Sequence, residues 1–483
     1  MPGRVTASTL PQNRARTRAI VRPWSLVTLW AAVTSGCATA PPQAPPDPAA
    51  TARAFQARRL ESALPDSPRP STGWNRAQWL DAALRLNPQL EEARARATAV
   101  AAAERTAAQR PNPTLNLFDE YVTAAAGGAA WLYGLSVDFL LQRPGERARA
   151  RRSAALDTQA AQSDLAESIW QVRAQLRQAL LDVVHAEDEA ALLRALLADR
   201  EGLLSSAKAR AQAGEIGAIA IPAASFERAA AQQRLDQAQA RGLDARARFA
   251  AAVGVPAAAL EEMPLQWPQW SDIDTLSPSL SGSWHEEALI ARPDLVRTLR
   301  EYDLAENALR SQLARRWPEF HLEPGYAWDR GGLHENQLNE TLHDNELGLS
   351  LELPLFHRNQ GPIGEALARR TLAGKHLEAV QAELFEQMDR AERAWPRARA
   401  AWESAASAAV LAQRQNEAEQ HALKAGASDR PSALLAATEA LEAQLLTLQA
   451  AYEAQLAFAA LEAAYRRPLE GPECELPLKW RTE

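Results

Sequence analysis

Three stretches of the chain alternate apolar and polar residues with a period of two. Leu349, Leu351, Leu353 and Leu355 alternate with Ser350, Glu352 and Pro354. Leu135, Val137, Phe139 and Leu141 alternate with Ser136 and Asp138, while Phe320, Leu322, Tyr326 and Trp328 share one parity against His321 and Glu323. Alternation over about ten residues predicts strands with one apolar and one wet face, as in a bilayer around a watery lumen. A soluble sheet on a core would alternate in the same way. Four strands are expected, and four cannot close a barrel. Open edges are not tolerated in lipid, so in a membrane several chains would have to pool their strands.

The rest of the pattern is helical. Helices are predicted at about 76–110 and 284–316, each ended by a proline, then at 146–212 and 362–424, with returning helices at 220–252 and 431–466. About 65 residues at 1.5 Å each span roughly 100 Å, beyond any ordinary globular domain. Leu434, Leu441, Leu445, Leu448 and Tyr452 step as a coiled-coil seam. Pro396, after Trp395, is expected to kink or distort its helix.

The two helix–strand series are related by an internal repeat. Ala83-Leu84 through Asn87-Pro88-Gln89-Leu90 matches Ala288-Leu289 through Arg292-Pro293-Asp294-Leu295, an offset of 205. Gly134 to Asp138 matches Gly348 to Glu352 at 214, and Ala213-Gly214 matches Ala425-Gly426 at 212. Ordered blocks with small offset changes imply duplication. The expected organisation is a signal at 1–36, a lipidated cysteine and tether at 37–75, repeats at 76–283 and 284–470, and a tail at 471–483.

Composition sharpens this picture. The 483 residues carry a net charge of -7, which disfavours a nucleic-acid partner. Arg4, Arg14, Arg16, Arg18 and Arg22 precede a short apolar core and Thr34-Ser35-Gly36-Cys37, as in a secretory signal. Cys37 resembles the acylated cysteine of a bacterial lipobox, and Ala38 after it implies outer-membrane sorting. An ordinary signal peptide with an incidental cysteine is the alternative. ATAPPQAPPDP (38–48) is a stiff tether. Cys474 is the only other cysteine, so no disulfide framework exists. No later segment approaches 18 continuous apolar residues, which excludes a transmembrane helix.

Together these features resemble the TolC family of outer-membrane efflux factors over roughly residues 76–468. Leu353-Pro354-Leu355-Phe356-His357-Arg358-Asn359-Gln360-Gly361 is similar to the Pro-Leu-Phe-(x)-Arg-Asn-Gln-Gly stretch of its CzcC-like, heavy-metal branch. The resemblance implies a mostly α chain with a membrane β part. In a homotrimer, four strands per chain would make a twelve-stranded barrel continuous with a helical coiled-coil tunnel. It also implies an outer-membrane duct that extends into the periplasm, served by a periplasmic adaptor and an inner-membrane pump of the RND type. Gly214, Glu215, Ile216 and Gly217, with Gly426, Ala427, Ser428 and Asp429, would be the hairpin tips that dock the adaptor. They would serve equally as helix C-caps. Where the best-studied relative has acidic gate rings, this chain has Ser432 and Leu435, with Asp429 slightly earlier. The resemblance leaves metal cations and drugs both open as substrates.

No enzyme, cofactor or metal site is expected. His334-Glu335-Asn336-Gln337-Leu338 fails the H-E-x-x-H zinc pattern, and His343 nearby offers only a loose contact. Gly214-Glu215-Ile216-Gly217 lacks the Gly-Lys-Ser/Thr of a phosphate loop. Arg143 to Arg152 reads as a helix start near a membrane boundary. The competing class is a soluble coiled-coil scaffold lipoprotein of the envelope, which leaves the strands and the repeat without a role.

Overall fold

The computed structural model describes residues 44–60, 73–122, 130–261, 263–276, 278, 291–330 and 341–475. Cys37 and the segment from His334 to Leu338 lie outside the described residues. The chain divides into a short unit, Met1–Ala54, and a main unit, Phe55–Glu483. The described part of the short unit opens α1 (Pro48–Gln56), none of whose residues is buried. The main unit runs α2 (Arg76–Leu86), α3 (Pro88–Ala107), β1 (Thr114–Val122), β2 (Ala130–Leu141), α4 (Glu146–Gln212) and α5 (Ala220–Val253). It continues α6 (Pro293–Ala314), β3 (Glu319–Arg330), β4 (Thr341–Glu352), α7 (Gln360–Lys424) and α8 (Arg430–Tyr465). Both halves thus pass from helix through two strands to a very long helix and a returning one.

The single helix expected over 76–110 is two helices, because Pro88 removes a backbone donor and holds Asn87 extended, at φ -68° and ψ 120°. Asn87 turns that break into a joint. Its side-chain oxygen accepts from the Gln89 amide at 2.9 Å, and its Nδ2 donates to the Ala252 carbonyl at 2.8 Å, at the end of α5. The corresponding Arg292, 1% exposed before Pro293, donates to the Ala464 carbonyl at the end of α8. The Asn/Arg-Pro motif therefore ties each opening helix to the last turn of its returning helix, whose carbonyls have no partner within the helix.

All four strands form one antiparallel sheet in the order β1-β2-β3-β4. The outer edges of β1 and β4 have no partner among the described residues. β4 ends at Glu352, so Leu353 and Leu355 lie outside the strand their alternation suggested. Pro354 cannot donate to a ladder, and the chain turns there, the Leu355 amide meeting the Leu353 carbonyl at 2.8 Å.

The core sits where α2, α4, α5 and α8 meet. It holds Trp79, Leu180, Leu181, Phe249, Phe458 and Leu461, with Trp79 edge-on to Phe249 at 5.0 Å. α7 joins it through Met388, Ala391 and Trp395, with Ala398 and Trp402 half-buried against it, and continues without interruption through Pro396. Along α8 the expected positions Leu441, Leu445, Leu448 and Tyr452 do pack against the core clusters, with alanines beside them at closer contact. The buried apolar positions are mostly alanines (433, 436, 440, 451, 454 and 464), with Leu445, Phe458, Leu461 and Tyr465. Leu434, Leu441 and Leu448 flank these, half-buried. Alanine at the line of contact allows closer helix approach than leucine.

Candidate functional site

The register carries one set of apolar side chains across the whole sheet. Leu141, Phe320 and Leu351 form one row, and Phe139, Leu322 and Leu349 the next. Leu117, Leu135 and Tyr326 stand in another, and Leu115 pairs Val137. This face is bare: Leu117 and Leu347 are each 74% exposed and Leu349 is 65% exposed. A soluble sheet would bury such a face against a second layer, because each buried leucine gains about 1.5–3 kcal/mol.

The opposite face is polar and internally bonded. Glu323 accepts from Asn116 Nδ2 at 3.0 Å and from Ser136 Oγ at 2.5 Å. His321 Nδ1 lies 3.0 Å from Asp138, and Arg143 meets Glu319 at 2.8 Å. Gly134 lies under the Phe118 ring, which would have to swing aside for a Cβ, since that atom would fall 2.2 Å from it. His343, considered as a metal contact, instead stacks on Tyr326 with ring centroids 5.9 Å apart. Among the described residues, no group of three or more His, Cys, Asp or Glu is arranged to hold a metal ion. No described helix is long and apolar enough to cross a membrane.

At the far end of the helices, both predicted tips close by the same bonds. Gly214 adopts φ +76° and Gly426 φ +70°. The Glu215 amide reaches back to the Arg210 carbonyl at 2.9 Å, and the Ala427 amide to the Ala422 carbonyl at 2.8 Å. Each is a Schellman closure in which glycine takes the left-handed position. The tips then diverge. Glu215 pairs with Arg210 at 3.2 Å, whereas Ser428 Oγ donates to Glu419 at 2.8 Å. Asp429 accepts the Ser432 amide at 2.9 Å and caps α8. Hydrogen bonds from Ser432 hold its carboxyl below the usual range, so Asp429 is committed to helix capping. Ile216 is half-buried, Gly217 is exposed, and Ile219 and Phe226 beyond them are 87% and 71% exposed. That bare apolar pair at one tip had no periodicity to mark it in the sequence.

Between sheet and tips lies a buried ion cluster. Glu462 of α8, 1% exposed, meets Arg173 at 3.1 Å and Arg177 at 3.4 Å, both on α4. Arg173 also meets Glu473 at 2.7 Å, beyond α8, and Arg76 of α2 meets Glu470 at 2.7 Å. Burial pushes the Glu462 carboxyl upward, but the two guanidinium charges prevail and hold it below the ordinary glutamate range. The cluster clamps the chain beyond α8 to the long helix of the first half.

Comparison with known proteins follows this geometry. Residues 284–465 match the family described as "Outer membrane efflux protein". No curated protein sequence matches the chain. Among solved structures, the outer membrane protein VceC of Vibrio cholerae superposes with a TM-score of 0.64 at 16% identity, covering 82% of this chain and 97% of its own. The CmeC outer membrane channel of Campylobacter jejuni gives 0.65 at 14% identity, covering 88% and 93%. The MtrE outer membrane channel of Neisseria gonorrhoeae, in its open state, gives 0.65 at 19%, covering 83% and 93%. The chain has the fold of outer-membrane channels, and its second half carries the sequence signature of outer membrane efflux proteins.

Proposed function

We propose that this chain is the outer-membrane exit duct of a tripartite efflux pump. One observation carries the reading: a sheet with a bare apolar face, a wet face opposite and two edges unpaired among the described residues runs directly into helices of 67 and 65 residues. In lipid, unpaired edges must close on neighbours, and three copies would make a twelve-stranded barrel above a helical tunnel. The duplicated halves would then supply equivalent walls. Lipid on Cys37 would add an anchor. The tips at Gly214–Gly217 and Gly426–Asp429 would receive the adaptor, which links the duct to an RND-type inner-membrane pump. The duct conducts passively and transforms nothing.

Heavy-metal cations are the substrate class we favour. The Pro-Leu-Phe-His-Arg-Asn-Gln-Gly stretch supports this, and so do Asp138, Glu319 and Glu323, which place carboxylates on the wet face. Metal-resistance and drug-resistance assays on a deletion strain separate the two substrate classes.

The membrane reading is tested by single cysteines along 343–352, in a Cys474→Ser background. Ser350 and Glu346 positions should react with a water-soluble reagent, and Leu347, Leu349 and Leu351 positions with a lipid-borne photoprobe. Leucine positions that ignore the lipid probe would falsify the duct. Leu347→Arg, halfway along β4, should cost roughly 2–4 kcal/mol per chain at the bilayer midplane, while Ser350→Arg should assemble. Loss of palmitate labelling in Cys37→Ser tests the anchor.

A further inference from the structure

We propose that the segment ahead of the repeats, Phe55–Leu60, is a releasable strap that locks the first of two equivalent helix joints, with Arg58 as the residue that holds it. The strap acts within one chain, whatever that chain conducts.

At each joint the last turn of a returning helix meets the start of another helix. Asn87, ahead of α3, donates to the Ala252 carbonyl of α5, and Arg292, ahead of α6, donates to the Ala464 carbonyl of α8. Arg292 follows Asn87 by 205 residues and Ala464 follows Ala252 by 212, the offsets of the repeat itself. The two contacts are therefore equivalent, but only the second is cationic. The difference matters because the last carbonyls of a helix lack partners and carry partial negative charge, which a guanidinium offsets.

The first joint takes its cation from outside the repeat. Arg58 Nη1 donates to the Leu86 carbonyl at 2.7 Å and to the Gly254 carbonyl at 3.1 Å, so one guanidinium bridges the ends of α2 and α5. The Phe55 ring lies 5.4 Å from the same guanidinium, and Leu60, 1% exposed, enters the core.

The strength of the hold differs between the joints. Arg292 is 1% exposed, and Asp294 pairs with it at 2.6 Å. Arg466, the left-handed residue that ends α8, adds a pair with Glu167 at 2.9 Å. Its counterpart at the end of α5 is Gly254, which has no side chain to pair. Arg58 keeps 26% of its side chain exposed, and Glu91, 3.7 Å away, is 54% exposed. Across 44–60, Leu60 is the only buried residue. The first joint thus leans on a segment with one buried side chain, and the second is held by residues of its own repeat. A pull on the chain ahead of Phe55 reaches Arg58 and Leu60 before it reaches α2, and opens the first joint alone.

Peptide-resolved hydrogen exchange on the full chain reads both joints at once. Arg58→Gln should speed exchange several-fold in 84–91 and 250–256, which hold the bonded amides of Asn87, Glu91, Gly254 and Val255. Peptides 292–298 and 462–468, which hold those of Val296, Arg466 and Arg467, should keep the wild-type rate. Arg58→Lys, which keeps the charge and loses the fork, should fall between. Arg53→Gln should change neither joint, because Arg53 pairs with Asp47, at 3.8 Å. Unchanged exchange at the first joint in Arg58→Gln overturns the lock, and equal acceleration at both joints overturns its restriction to the first half. Trypsin on the wild type tests release. Cleavage after Arg53 should come first, then after Arg58 or Arg59, then within α4, and the second cut should reproduce the exchange pattern of Arg58→Gln. Cleavage within α4 before Arg58 means a strap that does not release, and a cut after Arg58 that leaves the first joint unchanged means one that locks nothing. Either result overturns the proposal.

Discussion

The two long helices have nearly the same length and opposite roles. α4 buries a line of side chains from Leu156 to Leu196, and α2, α3, α5, α6 and α8 all pack against it. α7 buries only Ala366, Leu384, Met388, Ala391 and Trp395, and packs on α6 and α8. Leu367, Phe385 and Val410 on α7 stay 47%, 49% and 51% exposed. They are 18 and 25 residues apart, about five and seven turns at 3.6 residues per turn, so they share one face. α4 thus runs through the chain's own core, and α7 keeps an apolar face uncovered. Similar sequence patterns do not require similar burial, because burial depends on which helix the rest of the chain wraps.

The largest effect should come from the clamp on α4. Glu462→Ala leaves Arg173 and Arg177 buried without their shared carboxylate. Breaking a buried pair from one side costs about 3–5 kcal/mol, so the midpoint of chemical denaturation should fall sharply. A midpoint within error of wild type would mean the cluster contributes nothing to the core. The same clamp sets an acid limit. Glu462 is held below its ordinary value despite burial, and so is Asp294, through Arg292. Groups depressed in the folded state stabilise above their unfolded values, 4.5 and 3.8, and lose that contribution as pH falls through the folded ones. Stability should therefore be flat near neutrality and decline below about pH 4, and Glu462→Gln should flatten the decline.

A smaller effect on the chain, with a larger one on assembly, is expected from α7. Phe385→Asp and Val410→Asp change exposed positions, which ordinarily shifts stability by less than about 0.5 kcal/mol. If the chain assembles through this face as proposed, helical content should persist while the mass measured by light scattering drops from that of the assembly to that of a single chain. If both variants keep the wild-type mass, the exposed face of α7 is not an assembly surface.

Much of this contrast was open to sequence reasoning, and part was closed to it for physical reasons. Helix and strand spans follow from local periods, which is why 146–212 matches Glu146–Gln212. Asn87-Pro88 interrupts a helix although the apolar rhythm runs on, and Pro354 ends the ladder although leucines still alternate. In both cases backbone donors decide, and side-chain periodicity does not register them. The alanines beside the α8 leucines were hidden because alanine is common all round that helix. Arg173 and Glu462 are 289 residues apart, and each resembles a solvated charge on its own helix. The tip glycines were legible because positive φ leaves few alternatives.

The finest contrast lies between glycines that share a backbone shape and differ in surroundings. Gly254, at φ +92°, has no room: a Cβ would sit 2.4 Å from the Leu86 carbonyl oxygen at the joint between α2 and α3. Gly214 and Gly426, at φ +76° and +70°, have nothing within 4 Å. Asparagine tolerates the left-handed region better than other side chains, so it tests space more than backbone strain. Gly254→Asn should lower stability and yield, since backbone must move to admit it. Gly214→Asn and Gly426→Asn should shift the melting temperature little, because the added amide meets only solvent in the isolated chain. If the tips dock an adaptor, the same two variants should lose efflux and adaptor cross-linking while remaining folded in the membrane. Full efflux in both, with unchanged cross-linking, would show that the tips are helix caps and nothing more.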